Sequence, residues 1–238
     1  MYGYGYGYYG FDWTYVLLII GMLLSLAAST RLKSTFSYYR RIRSASGLTG
    51  AETAERILRA AGITDVHVRA ISGSLTDHYD PRTKTVSLSE DIYDKTSLAA
   101  VGVAAHECGH AIQHQVGYVP LQLRGALVPV ANFGSTIAWP LILLGLFFNS
   151  QMSQVLLNLG ILAFSLAVLF QIVTLPVEFN ASRRAVKILG ESNLLYPDEL
   201  SGTKKVLTAA ALTYVAGAAS AILQLLRILL LTGSRRDD

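Results

Sequence analysis

His106, Glu107 and His110 are the residues whose types and spacing best suit chemistry, within the run His106-Glu107-Cys108-Gly109-His110. On a helix, side chains four positions apart share a face one turn apart, so both imidazoles can grip a single Zn²⁺. Glu107 follows the first histidine at a different azimuth. That leaves its carboxylate off the metal, free to take a proton from a zinc-bound water and deliver it to a leaving amine. In well-studied sites the metal lowers the pKa of that water to roughly 7. Five-residue matches of this kind also arise by chance, and the plain alternative is a helix with core or solvent-facing histidines. The preceding SLAAVGVAA argues against it, because unpaired His and Glu are costly to bury in so apolar a helix. Cys108 points away from the shared histidine face and reads as a packing residue, although a thiolate is a soft competitor ligand. Gly109, Ala104 and Ala105 leave room for close packing or for a substrate backbone.

A catalytic zinc needs a third protein ligand and an open position. Glu178 is the strongest candidate, at the start of an expected helix, EFNASRRAVKIL. As an ordinary residue it would be a helix N-terminal carboxylate favoured by the dipole. His114 is the alternative, but eight helical residues separate it from His106 by about 12 Å, too far for one ion. It reads as structural, with contact to a metal ligand or to substrate as further options. Asn180, Ser182, Arg183 and Arg184 follow Glu178, and any of them could orient ligands or stabilise an oxyanion. They are equally ordinary for a helix beside a membrane, so none has an assigned role. In Asp77-His78-Tyr79-Asp80, His78 and Tyr79 could donate to an oxyanion or cover the cleft, with turn chemistry as the plain alternative.

The elements that must position these residues are written in the composition. Of 238 residues, 52% are hydrophobic and only 15% charged, against about 25% charged in an ordinary soluble domain. Mean hydropathy is +0.40. The net charge of +4 is small, and the cations flank apolar runs, which reads as membrane edges and excludes a nucleic-acid surface. The lone Cys108 allows no intrachain disulfide. Residues 1–10 form a Tyr/Gly-rich tail expected near headgroups. Residues 11–30 read as an uncleaved transmembrane anchor, because Arg31, Lys33, Arg40, Arg41 and Arg43 follow the apolar run and none precedes it. Residues 31–125 form an expected cytoplasmic α+β region. It holds a capped helix from Thr49 to Ala61, strands at 66–71 and 84–88, a turn at Asp80-Pro81-Arg82, and the motif helix from Ser97 to about Gly117. The strand at 84–88 is expected at a sheet edge, where an extended peptide could pair and lie over the metal. Residues 126–176 form a transmembrane hairpin, with its second span ended by Pro176. Residues 177–205 return to the cytoplasmic side, and 206–238 carry a fourth apolar helix, weakened by Gln224 and Arg227, and a tail. The expected fold class is a mainly α membrane protein of about four transmembrane helices with a small cytoplasmic α+β zincin-like region and a short antiparallel sheet.

LTDHYDPRT, HECGH and PVEFNASRRA, together with the Tyr/Gly tail, FDWTYVLL, STFSYYRRIRSASGLTGAE, LVPVANFGS and TKKVLTAAALTYVA, resemble the YugP-type family of bacterial membrane zinc metallopeptidases. The resemblance covers nearly the whole chain and is far more specific than the five-residue motif. It implies a gluzincin-like plan, similar to the HtpX class, with His106 and His110 as histidine ligands, Glu107 as base and Glu178 as carboxylate ligand. The wider gluzincin plan carries an Asp four residues after the ligand Glu. Here that position is Ser182, so the outer carboxylate is missing or replaced, with Asn180 a candidate substitute.

These readings imply one Zn²⁺ per chain and a multi-pass protein of the bacterial cell membrane, with its N-terminus outside and its site facing the cytoplasm. The expected activity is endopeptidase cleavage of membrane or membrane-adjacent proteins. The expected partners are protein or peptide substrates and the lipid bilayer, with no nucleic acid; homo-oligomerisation is left open. The alternative is a zinc-stabilised inactive scaffold or adaptor. Glu107 discriminates, since a structural site needs ligands but no base. A transporter or channel is disfavoured by the few ionisable residues in the spans, Arg227 being the chief exception.

Overall fold

A computed structural model describes residues 12–148 and 151–233. The Tyr/Gly tail, Asn149, Ser150, Arg235 and Arg236 lie outside the described residues. Six helices and three strands follow in the order α1 (Tyr15–Tyr39), α2 (Gly50–Ala60), β1 (His67–Ile71), β2 (His78–Asp80), β3 (Thr85–Ser89), α3 (Leu98–Gln115), α4 (Val119–Phe147), α5 (Gln151–Glu191) and α6 (Pro197–Gly233). The chain is thus mainly helical with one small sheet. Helices α1, α4, α5 and α6 are each long and apolar enough to cross a membrane. Their outward faces carry large exposed apolar side chains, among them Ile20, Leu23, Phe133, Leu144, Leu162 and Ile222, as lipid contact requires.

The long helices pair antiparallel. Ser25 and Ser220 hydroxyls meet at 2.9 Å, and Ser220 also donates to the Gly21 carbonyl at 2.8 Å, joining α1 to α6. These are small residues and hydroxyls of the kind that hold helices together in lipid. Along α4 and α5, a Cβ on Gly134 would lie 2.7 Å from the Ala163 carbonyl oxygen, so glycine permits that approach. Arg227 lies with its guanidinium 4.5 Å from the Tyr15 ring centre, a cation–π contact at the N-terminal end of α1.

Two expectations about the helices are corrected. Pro176 does not break the helix, and no new helix starts at Glu178: α5 runs unbroken through it for 41 residues. A proline costs a helix one N–H bond, but α5 is packed on α3, α4 and α6, which hold it in line. Glu178 therefore sits in a helix interior, not at an N-terminus. Helix α4 begins at Val119, ahead of the apolar run, with a proline in its first turn.

The sheet is also corrected. Its order is β1-β3-β2, with β1 and β3 parallel and β2 and β3 antiparallel, so it is mixed and not wholly antiparallel. β3 is its central strand, not an edge, and all five of its residues are buried. The small hydroxyls of β3 permit this because each finds a partner. Ser87 accepts from Arg69 Nε at 3.1 Å, Thr85 donates to the Thr83 carbonyl at 3.1 Å, and Ser89 donates to Asp77 through its backbone and its hydroxyl. The expected turn is present, with Asp80 accepting from Arg82 N and Thr83 Oγ1 at 2.9 Å each. Helix α2 starts with the expected capping box between Thr49 and Glu52, worth about 1 kcal/mol. Its Ala54, Ile57 and Leu58 are buried in a core shared with α3 and β3.

Candidate metal centre

Helix α3 starts at its cap, where Ser97 accepts from Ala100 N. From there it runs under the sheet and against α5. The fit with α5 is close at Gly109, where a Cβ would lie 2.6 Å from the Ala181 carbonyl oxygen. Glycine at the fourth position of the motif therefore lets the two helices touch, which brings Glu178 to the histidines. His106, His110 and Glu178 each offer a ligand atom within 4.8 Å of one another. Glu178 Oε2 lies 3.3 Å from His106 Nε2 and 3.6 Å from His110 Nε2.

The surrounding hydrogen bonds decide which nitrogens carry protons. The Val177 carbonyl can only accept, and it receives Gln113 Nε2 at 2.8 Å. Asn180 Oδ1 accepts from the same nitrogen at 3.0 Å and from Arg184 Nε at 2.8 Å. Gln113 Oε1 is thereby turned to His110 Nδ1, 3.0 Å away, which must donate to it. His110 Nε2 then points a lone pair at Glu178. Ser182 Oγ lies 3.1 Å from His106 Nδ1, placed to accept its N–H and turn that ring the same way. So Ser182 contacts His106 directly, while Asn180 acts one step back through Gln113.

The result is a buried set of lone pairs that converge on one point. Arg124 donates to Glu178 Oε1 at 3.2 Å, but the buried Oε2 has no hydrogen-bond partner among the described residues. An unsatisfied buried carboxylate oxygen is costly, and a cation between it and the two nitrogens removes that cost. Two imidazole nitrogens and one carboxylate, with a fourth direction open to a cavity, form a donor set that fits zinc.

That cavity has a volume of about 420 Å³. His106, Glu107, His110 and Glu178 form its floor, and His78, Tyr79, His114, Arg124 and Tyr214 are among its walls. Glu107 is buried, and burial pushes its carboxyl above the ordinary carboxylate range against the pull of both histidines. His114 stands apart from the metal group, as its helical distance requires. It pairs with the Tyr79 hydroxyl at 2.8 Å, and burial, helped by Asp65 and Asp80, pushes that phenol up to about 12. His78 is exposed and holds the Thr76 carbonyl at 2.9 Å. Arg183 is exposed and takes no part in the cavity lining. Cys108 is fully buried, with its thiol at 3.5 Å from the Ala54 carbonyl, and burial raises its pKa.

Residues 14–233 match the family described as "Putative neutral zinc metallopeptidase". The chain belongs to this zinc metallopeptidase family. It is 47% identical over 222 residues to the "Putative membrane protease YugP" of Bacillus subtilis (strain 168), covering 93% of this chain and 97% of that protein. No solved structure gives a significant match.

Gln113, Arg124 and Tyr214 of this family member reach the site without having been singled out by the sequence. Gln113 had a readable signal, since it lies three residues beyond His110 on the same helix face. Arg124 and Tyr214 had none, because they come from α4 and α6 across the fold. Gln113→Leu keeps the volume but frees the His110 tautomer and removes the second donor to the Val177 carbonyl. Its expected cost is about 10–100-fold in zinc affinity, read by competition with a chromophoric chelator. Unchanged affinity would show that the Gln113 hydrogen bond does not orient His110 for metal.

Proposed function

We propose that this chain is a membrane-embedded zinc endopeptidase that cleaves membrane or membrane-adjacent proteins, with His106, His110 and Glu178 as ligands and Glu107 as general base. The observation that carries this is a buried carboxylate, Glu107, beside an acceptor-only trio and opening on the same cavity. Zinc held by the trio supplies the Lewis acidity that makes water nucleophilic near neutral pH. Glu107 takes the proton of the attacking water and passes it to the amine of the broken bond. Arg124 holds Glu178 in place through Oε1. With β3 buried in the centre of the sheet, β2 is the strand whose free edge lies along the cavity. An extended peptide pairs there, and His78 and Tyr79 contact its side chains.

The membrane supports the same reading. The cations at 31–43, 183–187 and 204–205 gather at the end of the bundle that holds the site. The excess of Lys and Arg there supports a site on the cytoplasmic side and an N-terminus outside. Counted along α5, Glu178 lies roughly 40 Å from the start of the helix, beyond a hydrocarbon core of about 30 Å.

The test is digestion of an unstructured reporter protein by the enzyme in oriented membrane vesicles. Inside-out vesicles cleave the added reporter, a chelator abolishes cleavage, and zinc restores it. Cleavage only by right-side-out vesicles reverses the orientation. A zinc-replete protein that cleaves in neither orientation favours the scaffold.

A further inference from the structure

We propose that the groove between α1 and α6, at the end of the bundle that holds the metal centre, binds the phosphate headgroup of an anionic phospholipid. A cavity of about 560 Å³ opens there, separate from the metal cavity. Its walls repeat one pattern on both helices. α1 contributes Arg31, Ser34, Thr35, Tyr38 and Tyr39, and α6 contributes Ser201, Lys204, Lys205 and Thr208. Both sets share the spacing i, i+3, i+4, i+7, with Tyr39 one further step along α1, so each is a continuous stripe, and the two stripes face each other.

Three cations thus meet in one concavity, and no carboxylate lines it. Among the described residues, Arg31, Lys204 and Lys205 belong to no ion pair. The Ser34 hydroxyl is taken by the Arg31 carbonyl at 3.0 Å, while Thr35, Ser201 and Thr208 line the cavity and their hydroxyls make no hydrogen bond among the described residues. Cations with hydroxyl donors and no competing anion are a phosphate-binding chemistry. The general surplus of positive charge on one membrane side explains cations at this depth. It does not explain why they converge with hydroxyls in one groove.

The apolar continuation favours a lipid over a soluble phosphate ester. One to two turns towards the membrane, the same two stripes become Leu24 on α1 and Leu212 and Val215 on α6, with Leu24 and Val215 exposed. A headgroup held by the cations therefore leads its acyl chains onto apolar helix surface. The seam is tightly closed behind the site, where a Cβ on Gly202 would lie 2.6 Å from the Tyr39 ring.

The experiment is native mass spectrometry of the zinc-loaded full-length protein released from nanodiscs, with phosphatidylglycerol titrated against phosphatidylcholine. Wild type retains phosphatidylglycerol and not phosphatidylcholine, and soluble glycerol phosphate does not displace it. Lys204→Gln/Lys205→Gln weakens retention on the order of tenfold or more. Thr208→Trp fills the groove with every cation intact and has the same effect. Lys33→Gln/Arg41→Gln removes as much charge from outside the groove and leaves retention unchanged. Equal loss in the two charge variants, full retention in Thr208→Trp, or equal retention of the two lipids overturns the proposal. Displacement by glycerol phosphate at comparable concentration replaces the lipid with a soluble phosphate ester. Zinc content, measured alongside, shows that the variants are folded.

Discussion

Glu107→Gln is expected to keep its zinc and lose turnover by about 10²–10⁴-fold, the range for removing a general base. The substitution is nearly isosteric at a position only 7% exposed, so the packing of α3 survives. The amide cannot accept the proton of the attacking water, and it leaves the three ligand atoms untouched. The loss therefore falls in kcat, with metal content by atomic emission at the wild-type level. A variant that cleaves the reporter as fast as wild type would remove Glu107 from the chemistry. A variant that loses its metal would place Glu107 among the ligands, where the geometry does not put it.

Glu178→Ala has the second large effect, and it is on the metal. A zinc site of three protein ligands draws its binding energy from few contacts, so losing the carboxylate lowers affinity on the order of 10²–10³-fold. The metal-free protein behaves differently. There the buried Glu178 Oε2 makes no hydrogen bond among the described residues, and Arg124, whose side chain is 30% exposed, can turn to water when its carboxylate is removed. Removing Glu178 thus costs the metal-free fold little, while the stabilisation that zinc confers on wild type disappears. Thermal melts with and without zinc separate the two. Full zinc occupancy in Glu178→Ala sinks the assignment of the third ligand.

Much of this was legible because short-range physics wrote it. The capping box at Thr49 and Glu52 and the turn at Asp80 are local hydrogen-bond patterns, and both are present. The four apolar stretches long enough for a bilayer are present as helices. Misreadings came where a neighbour overrides local preference. Pro176 is a helix breaker in isolation, yet α5 passes through it because other helices flank it. The Thr/Ser-rich β3 looks like an exposed edge, yet its hydroxyls are satisfied in the centre of the sheet by Arg69 and Asp77.

The site divides along the same line. The spacing of His106 and His110 on one helix is a property of 3.6-residue periodicity, and the sequence determined it alone. Sequence position and the resemblance both pointed to Glu178, but its distance of 3.3 Å from His106 is a product of helix α5 pressing on Gly109. The tautomer of His110 is settled by Gln113, Val177, Asn180 and Arg184, and the carboxylate by Arg124 from a third helix. None of these contacts has a sequence period, because each joins helices far apart in the chain. The sequence by itself determined the two histidines on one helix face, the carboxylate beside them and the apolar helices that carry them. Only the tertiary structure decided which lone pairs face inward, because that depends on which donors and acceptors packing brings within 3 Å of the rings.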